Sequence, residues 1–268
     1  MRIFDLLPEL KSRNRLLYNV GLAHAIFFAV CFILFFVDDR QVMNINAWIK
    51  PMKFALSITV YLWTFAWLLY YLPNPRHVRW IGIVVVISMI AEMTTIALQA
   101  ARGVPSHFNV TSAFNALIFS VMGLLIALNT LANLVTFILF FSPKIQMEGS
   151  LKMAWQCGLF LLVLGSISGG LMVIRLAHTV GAPDGGPGLP FVNWSTIAGD
   201  IRVAHFFTLH GLQLIPLVWW VISMQWKLTN KTWVLIFISS IYLGLCIWLH
   251  FMALVGRPLI ANGLVPGA

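Results

Sequence analysis

Seven long apolar segments separated by short polar connections constrain the fold of this chain more than any other feature. Spanning a hydrocarbon core about 30 Å thick takes roughly 20 apolar residues. The segments that are long enough cover residues 16–37, 53–72, 80–101, 109–141, 153–178, 202–224 and 232–255. Only 9% of the 268 residues are charged, against roughly 25% in a soluble domain. The sequence therefore predicts an all-α polytopic membrane protein, with a bundle of seven transmembrane helices as its single domain over residues 1–268.

The distribution of basic residues predicts the orientation of this bundle. Cytoplasmic connections retain Lys and Arg, and placing the N-terminus inside assigns ten of the 17 basic residues to the inner side. These ten are Arg2, Lys11, Arg13, Arg15, Arg76, Arg79, Lys144, Lys152, Lys227 and Lys231. We therefore expect the N-terminus inside and the C-terminus outside, in the plasma (inner) membrane. Residues 1–15 suit a short interfacial helix, and residues 179–200 form the longest outer loop.

Several other classes of protein are disfavoured. The net charge of +9 would suggest nucleic acid in a soluble protein, but no polar domain here is long enough to bind it. The three cysteines lie in separate apolar segments, which disfavours disulfides and Cys-based metal sites. The seventh segment has no interior Lys for a retinal Schiff base, and the first segment lacks the cleavage site of a signal peptide.

Titratable and amide side chains are concentrated in the predicted outer half of the membrane. By count along each helix, Glu92 and His210 lie roughly 12 Å below the outer boundary, and His205 and His250 lie nearer to it. Such groups cost several kcal/mol in lipid unless they face the bundle interior, where they usually mark function. The sequence therefore predicts an outward-facing pocket. Its candidate residues are Lys50, Lys53, Trp48, Glu92, Arg102, His107, Asn109, Arg175, His205, His210, Gln213 and His250.

Three stretches carry a resemblance to known sequences: WIKPMKFALS, ARGVPSHFN and GDIRVAHFFTLHGLQ. They resemble a family of uncharacterised bacterial multi-pass membrane proteins, over most of the chain. The resemblance implies a membrane fold, and it implies no particular chemistry.

Three functions remain open from the residues themselves, and they leave undecided whether the protein is an enzyme. The first is binding of b-type haem, with His210 and His250 at comparable depth as axial ligands and His205, Arg175 and Lys53 nearby. The second is binding or transport of a small anionic or lipid-like compound, with Glu92 and His210 as a proton-responsive pair. The third is a metal-dependent hydrolase with histidine ligands to zinc and Glu92 as base. For each polar residue alone, a purely structural role is the alternative, as in an assembly subunit. The expected partners are the lipid bilayer and a small ligand or cofactor.

Overall fold

A computed structural model describes residues 5–226 and 229–261 and places eight α-helices and two short hairpins there. The helices are α1 (Leu6–Arg13), α2 (Arg15–Val37), α3 (Ile49–Leu69), α4 (Pro75–Ala101), α5 (Ala113–Leu139), α6 (Gly149–Arg175), α7 (Ile201–Gln225) and α8 (Lys231–Leu254). Strands β1 (Gln41–Val42) and β2 (Ile45–Asn46) pair antiparallel, as do β3 (Thr179–Val180) and β4 (Gly199–Asp200). Helices α2 to α8 are each long and apolar enough to cross a membrane. The all-α fold with seven spans is thus confirmed.

Each predicted segment corresponds to one helix, but several boundaries shift by a few residues. Helix α4 begins at Pro75 rather than at residue 80, and α6 covers Gly149–Arg175 rather than residues 153–178. Helix α3 begins at Ile49 rather than at residue 53, so that Lys50, Pro51 and Lys53 lie in its first turns. Helix α5 begins at Ala113 rather than at residue 109, because Asn109 and Ser112 accept hydrogen bonds from the backbone in a turn before it. Residues 1–4 of the predicted interfacial segment 1–15 lie outside the described residues. Lys227, which the charge pattern assigns to the inner side, also lies outside them.

Polar side chains define where several helices begin. Asn14 accepts a hydrogen bond from the backbone of Leu17 at the start of α2, and Asn74 does so for α4, whose first residue is Pro75. A cap of this kind satisfies a backbone N–H that has no partner inside the helix. Helix α6 is followed by Leu176, which caps it in a left-handed conformation with φ of 50°.

Large apolar side chains point away from the protein on several helices. On α2, Ile33 is 62% exposed and Phe36 is 66% exposed. On α8, Trp233 and Phe237 are exposed to a similar degree. Contiguous exposed apolar surface of this extent is foreign to soluble monomers, so these faces contact lipid. The membrane concerned and the orientation of the termini stay predictions.

The chain divides into two compact units, which we describe separately. Unit 1 contains the described residues up to Ala132 together with Pro143–Ile145, and unit 2 contains Asn133–Ser142 and the described residues from Gln146 onward. The expectation of one bundle domain over residues 1–268 stays a prediction.

In unit 1, α3 packs against both α2 and α4, and α1 lies against α2 and α3. A cluster of Cys31, Trp48, Met52 and Ala100 forms part of its core. Polar contacts supplement this packing, since the hydroxyl of Ser88 on α4 donates to the carbonyl oxygen of Leu125 on α5 at 3.0 Å.

In unit 2, α7 packs along α6 and against α8. Trp219 is buried in the core cluster, and its indole N–H donates to Ser150 at 3.0 Å. Gly158 of α6 lies against the backbone of Leu212 on α7, where a Cβ atom would come within 3.0 Å of the Leu212 carbonyl oxygen. Small residues permit such close helix packing in membranes.

Candidate functional site

Glu92 is a buried carboxylate on α4 of unit 1, with only 5% of its surface exposed. Its Oε1 atom lies 3.4 Å from Nε2 of His107, and its Oε2 atom is buried without a hydrogen-bond partner among the described residues. On the other side of the imidazole, Nδ1 of His107 lies 3.2 Å from Nζ of Lys50 and 3.1 Å from Oγ of Ser106. Lys50, His107 and Glu92 thus form one chain of contacts, which we call the Glu92 chain.

The donors in the Glu92 chain select one form of the imidazole. A protonated lysine has N–H donors and no acceptor, so Nδ1 of His107 accepts and the ring proton lies on Nε2, directed at Glu92. Burial and the positive charge of Lys50 lower the pKa of His107, and Glu92 acts in the opposite direction with a smaller effect. Burial and Lys50 thus favour the neutral form of the imidazole, while Glu92 favours the protonated form.

Aromatic rings surround the imidazole of His107. Ring centroids of Phe54, Phe108 and Phe119 lie 5.9, 6.0 and 6.5 Å from it. Phe108 reaches this position from a backbone with φ of 58°, a conformation uncommon for a bulky residue. Rings on these sides keep the local dielectric low, which strengthens the contacts along the Glu92 chain.

Two other predicted site residues, Arg102 and Asn109, belong to a network that orders the connection between α4 and α5. Arg102 donates to the side-chain oxygens of Gln99 and Asn115, and Gln99 donates to Asn115 at 3.1 Å. Asn109 accepts from the hydroxyl of Thr111 at 2.7 Å. Because these amides bind one another, their contacts account for their burial without a ligand.

Trp48 and Lys53 lie at the start of α3. The indole N–H of Trp48 donates to Asp38 at 2.7 Å, and the guanidinium of Arg40 also binds this carboxylate. Together with the β1–β2 hairpin, these bonds fix the chain between α2 and α3. Lys53 is half-buried one turn after Ile49. The contacts of Trp48 therefore assign it a structural role.

In unit 2, His205 and His250 both bind the same stretch of α6. Nδ1 of His205 contacts the carbonyl oxygen of Gly165 at 2.8 Å. Nδ1 of His250 contacts the carbonyl oxygen of Cys246 at 2.9 Å, and its Nε2 lies 2.6 Å from the hydroxyl of Ser168. Both nitrogens of His250 are engaged, so coordination of iron by this residue requires one of these bonds to break.

The levels of His210 and His250 differ from the expected common depth. The backbone of Gly199, eleven residues before His210, lies against the carbonyl of Ala253, three residues after His250. Since α7 and α8 connect in sequence and run in opposite directions, the two histidines are offset by roughly 12 Å along the helices. A haem needs its axial nitrogens on opposite sides of one iron atom, so this offset gives no support to that pair.

The remaining predicted site residues of unit 2 are His210, Gln213 and Arg175. The ring of His210 lies 4.4 Å from that of Phe206, and the side chain shares a helix face with Gln213. Arg175 is exposed at the end of α6.

The 179–200 loop begins and ends in a polar cluster. Asp184 accepts hydrogen bonds from the backbone of His178 and Thr179. Asp200 caps α7 by accepting from the backbone of Arg202 at 3.0 Å, and it also accepts from the backbone of Ser195. Burial raises the pKa of Asp200, but Arg202, Ser195 and the nearby His178 outweigh it, so that this pKa is lower than usual.

Metal binding finds no support in the described part of the chain. Across residues 5–226 and 229–261, no three His, Cys, Asp or Glu side chains are grouped so that they could hold a metal ion. Zinc hydrolysis requires three convergent ligands. Haem binding and hydrolysis therefore stay predictions.

No protein-family model matches the chain, and no curated protein or solved structure does either. The resemblance to bacterial multi-pass membrane proteins thus stays a prediction, whereas the seven spans stand on the structure itself.

The sequence identified the members of the Glu92 chain as candidates, but not their connection. It predicts His210 as the imidazole partner of Glu92, whereas in unit 1 the partner of Glu92 is His107. Gln99 and Ser168 were missed as polar partners. Gln99 follows Glu92 by seven residues on the same face of α4, which is a signal that could have found it.

Proposed function

We propose that the protein binds and transports a small anionic compound, and that Glu92 takes up a proton as the anion binds. The observation that carries this proposal is the buried carboxylate of Glu92, which has one oxygen at His107 and the other without a partner. Ionisable residues inside a membrane commonly mark ion pathways and proton relays.

Oε2 of Glu92 is the atom at which this proton is expected to bind. His107 already directs its Nε2 proton at Oε1, and Lys50 and Ser106 both face Nδ1. A second proton on the imidazole would bring Nδ1–H against the ammonium group of Lys50. The unpartnered Oε2 offers a position without that repulsion.

The net charge of Lys50, His107 and Glu92 couples proton uptake by Glu92 to binding of the anion. With Glu92 ionised, the negative charge of Glu92 balances the positive charge of Lys50 and His107 is neutral. Once Glu92 is protonated, the same three groups carry a net positive charge. A half-buried positive charge beside aromatic rings attracts an anion. By thermodynamic linkage, an anion that binds more tightly to the protonated form must also favour protonation.

Binding of simple anions at two pH values tests this coupling. We would measure thermal shifts of the detergent-purified protein with chloride, nitrate, phosphate and benzoate, at about pH 4.5, near the ordinary carboxyl pKa, and at about pH 7.5, well above it. The wild type should bind one of these anions more tightly at the lower pH. Glu92→Gln, which resembles the protonated carboxyl, should bind that anion equally at both pH values. Lys50→Met should lose binding.

Two control variants make this outcome specific. Asp39→Asn removes an exposed carboxylate and Lys144→Met an exposed ammonium group, and both should behave like the wild type. The proposal fails if none of the four anions binds, or if Glu92→Gln retains the pH dependence of the wild type. An anion that binds should then drive proton uptake into proteoliposomes, and Glu92→Gln should abolish this uptake.

A further inference from the structure

A cavity of about 530 Å³ lies in unit 1, where α1 meets α2, α3 ends and α4 begins. It is separate from the Glu92 chain, which joins the start of α3 to the connection after α4. Two arginines line it, Arg13 at the end of α1 and Arg79 in the second turn of α4. The cavity thus combines two positive charges with helix ends.

Arg13 is held in place but keeps a donor without a partner. Its Nε donates to Glu9 at 2.7 Å, and its guanidinium carbon lies 3.7 Å from the ring centroid of Trp67 and 4.4 Å from that of Tyr70. Its Nη1 atom is buried and has no hydrogen-bond partner among the described residues. The guanidinium carbon also lies 5.2 Å from the ring centroid of Tyr71, and aromatic faces attract cations, so Arg13 is held as a fixed positive charge in the wall of the cavity.

The guanidinium groups of Arg13 and Arg79 suit a phosphate as their ligand. Arg79 is exposed and lies one turn after Pro75, at the N-terminal end of α4, whose helix dipole favours anions. Guanidinium groups bind phosphate oxygens through strong charge-assisted hydrogen bonds. Arg13 and Arg79 thus place two positive charges in the lining of one cavity.

The other walls of the cavity are apolar and reach the lipid-facing surface. Leu69 and Leu72 are buried, and Leu16 is 45% exposed, while Val78 and Ile83 add further apolar lining. A site that places arginines beside exposed leucine matches a molecule with an anionic head and an acyl chain. Loop charges predict that this end of unit 1 faces the cytoplasm, and basic pockets on that side of membrane proteins bind anionic lipid headgroups.

We propose that this cavity binds the phosphate group of an anionic phospholipid, with Arg13 and Arg79 as its ligands. Native mass spectrometry of the detergent-purified protein tests this by titration with phosphatidylglycerol and, separately, with zwitterionic phosphatidylcholine. Phosphatidylglycerol should bind with the higher affinity. Arg79→Gln should weaken its binding by about tenfold, the loss expected for one charged hydrogen bond.

Arg76→Gln is the matched control, because Arg76 is an exposed arginine in the first turn of α4 and does not line the cavity. It should leave the affinity for phosphatidylglycerol unchanged. Arg13→Lys keeps the charge but loses the guanidinium geometry, so it should weaken binding while the protein stays folded, as judged by thermal unfolding.

Three outcomes would overturn the proposal. The first is equal affinity for the two lipids. The second is an equal effect of Arg79→Gln and Arg76→Gln. The third is that inorganic phosphate at millimolar concentration displaces phosphatidylglycerol completely and stabilises the protein to the same degree, which would identify free phosphate rather than lipid as the ligand.

Discussion

The imidazole of His250 connects α8 to α6, with Nε2 2.6 Å from the hydroxyl of Ser168 and Nδ1 2.9 Å from the carbonyl oxygen of Cys246. A carbonyl oxygen only accepts, so Nδ1 donates to Cys246, and Nε2 pairs with the hydroxyl of Ser168. One histidine thereby bonds its own helix and a neighbouring helix.

Replacing Ser168 by alanine removes this bond between helices and leaves a buried ring nitrogen without its donor. We expect Ser168→Ala to lower the free energy of unfolding by about 1 kcal/mol, in the range measured for such bonds in membrane proteins. Reversible unfolding in mixed detergent micelles would measure it. Ser166→Ala is the control, because Ser166 binds only the carbonyl of Leu162 in its own helix. Equal losses for the two variants would contradict the assignment.

Gly165 permits the close approach of α6 and α7. A Cβ atom at this position would lie 2.8 Å from Cδ2 of Leu209 and 2.9 Å from its backbone nitrogen, and a backbone atom cannot move aside like a side chain. We expect Gly165→Ala to destabilise the protein by about 1–3 kcal/mol, as overpacking does.

Gly170, in the same helix, provides the comparison. A Cβ atom there meets no atom of the described residues within 4 Å, so Gly170→Ala should be neutral or slightly stabilising, since alanine favours helix over glycine. Thermal unfolding in detergent compares the two variants. A stable Gly165→Ala protein would show that α6 and α7 are packed less closely than described.

The number and order of the membrane helices could be predicted from the sequence, because whether a segment is apolar and long enough to span lipid depends on that segment alone. The boundaries that shifted depend on specific side chains. Asn109 forms a turn before α5 and thereby shortens a run that looks uniformly apolar.

Pairing between polar residues could not be predicted, because depth along a helix does not give its rotation or its offset from its neighbours. Counting residues placed Glu92 and His210 at one depth, but the partner of Glu92 in unit 1 comes from a connection, His107. Likewise, the close contact of Gly199 with Ala253 sets the offset of α7 and α8, and neither residue carries a sequence signal for it.

The neutral state of His107 makes stability depend on pH. Burial and Lys50 lower the pKa of His107 in the folded protein, so the unfolded chain binds the proton at a higher pH than the folded one. The stability that His107 contributes is fully present above the ordinary histidine pKa of about 6.5. It is lost as the pH falls from there through the lowered pKa of the folded protein.

Thermal unfolding between about pH 8 and pH 5, the range that spans the ordinary histidine pKa, measures this dependence. His107→Gln should lose the pH dependence of stability that is due to this residue. Lys50→Met should reduce that dependence, because it removes one of the two effects that lower the pKa of His107. His77→Gln, at an exposed position, should keep the profile of the wild type. An unchanged profile in His107→Gln would contradict the neutral imidazole.

Asp200 holds the end of the 179–200 loop against the start of α7. Its side chain is fully buried, and its ion pair with Arg202 spans 2.6 Å, while the backbone N–H of Ser195 donates to the same carboxylate at 2.9 Å. Asp200→Asn leaves Arg202 without its charge partner and weakens the cap of α7. We expect the free energy of unfolding to fall by about 2–4 kcal/mol, because breaking a largely buried ion pair leaves a charge uncompensated and part of the Arg202 side chain stays solvated.

Limited proteolysis should then cleave the loop faster in Asp200→Asn than in the wild type. Asp39→Asn, at an exposed position, should show no change. Cleavage at the wild-type rate in Asp200→Asn would mean that this carboxylate does not hold the loop.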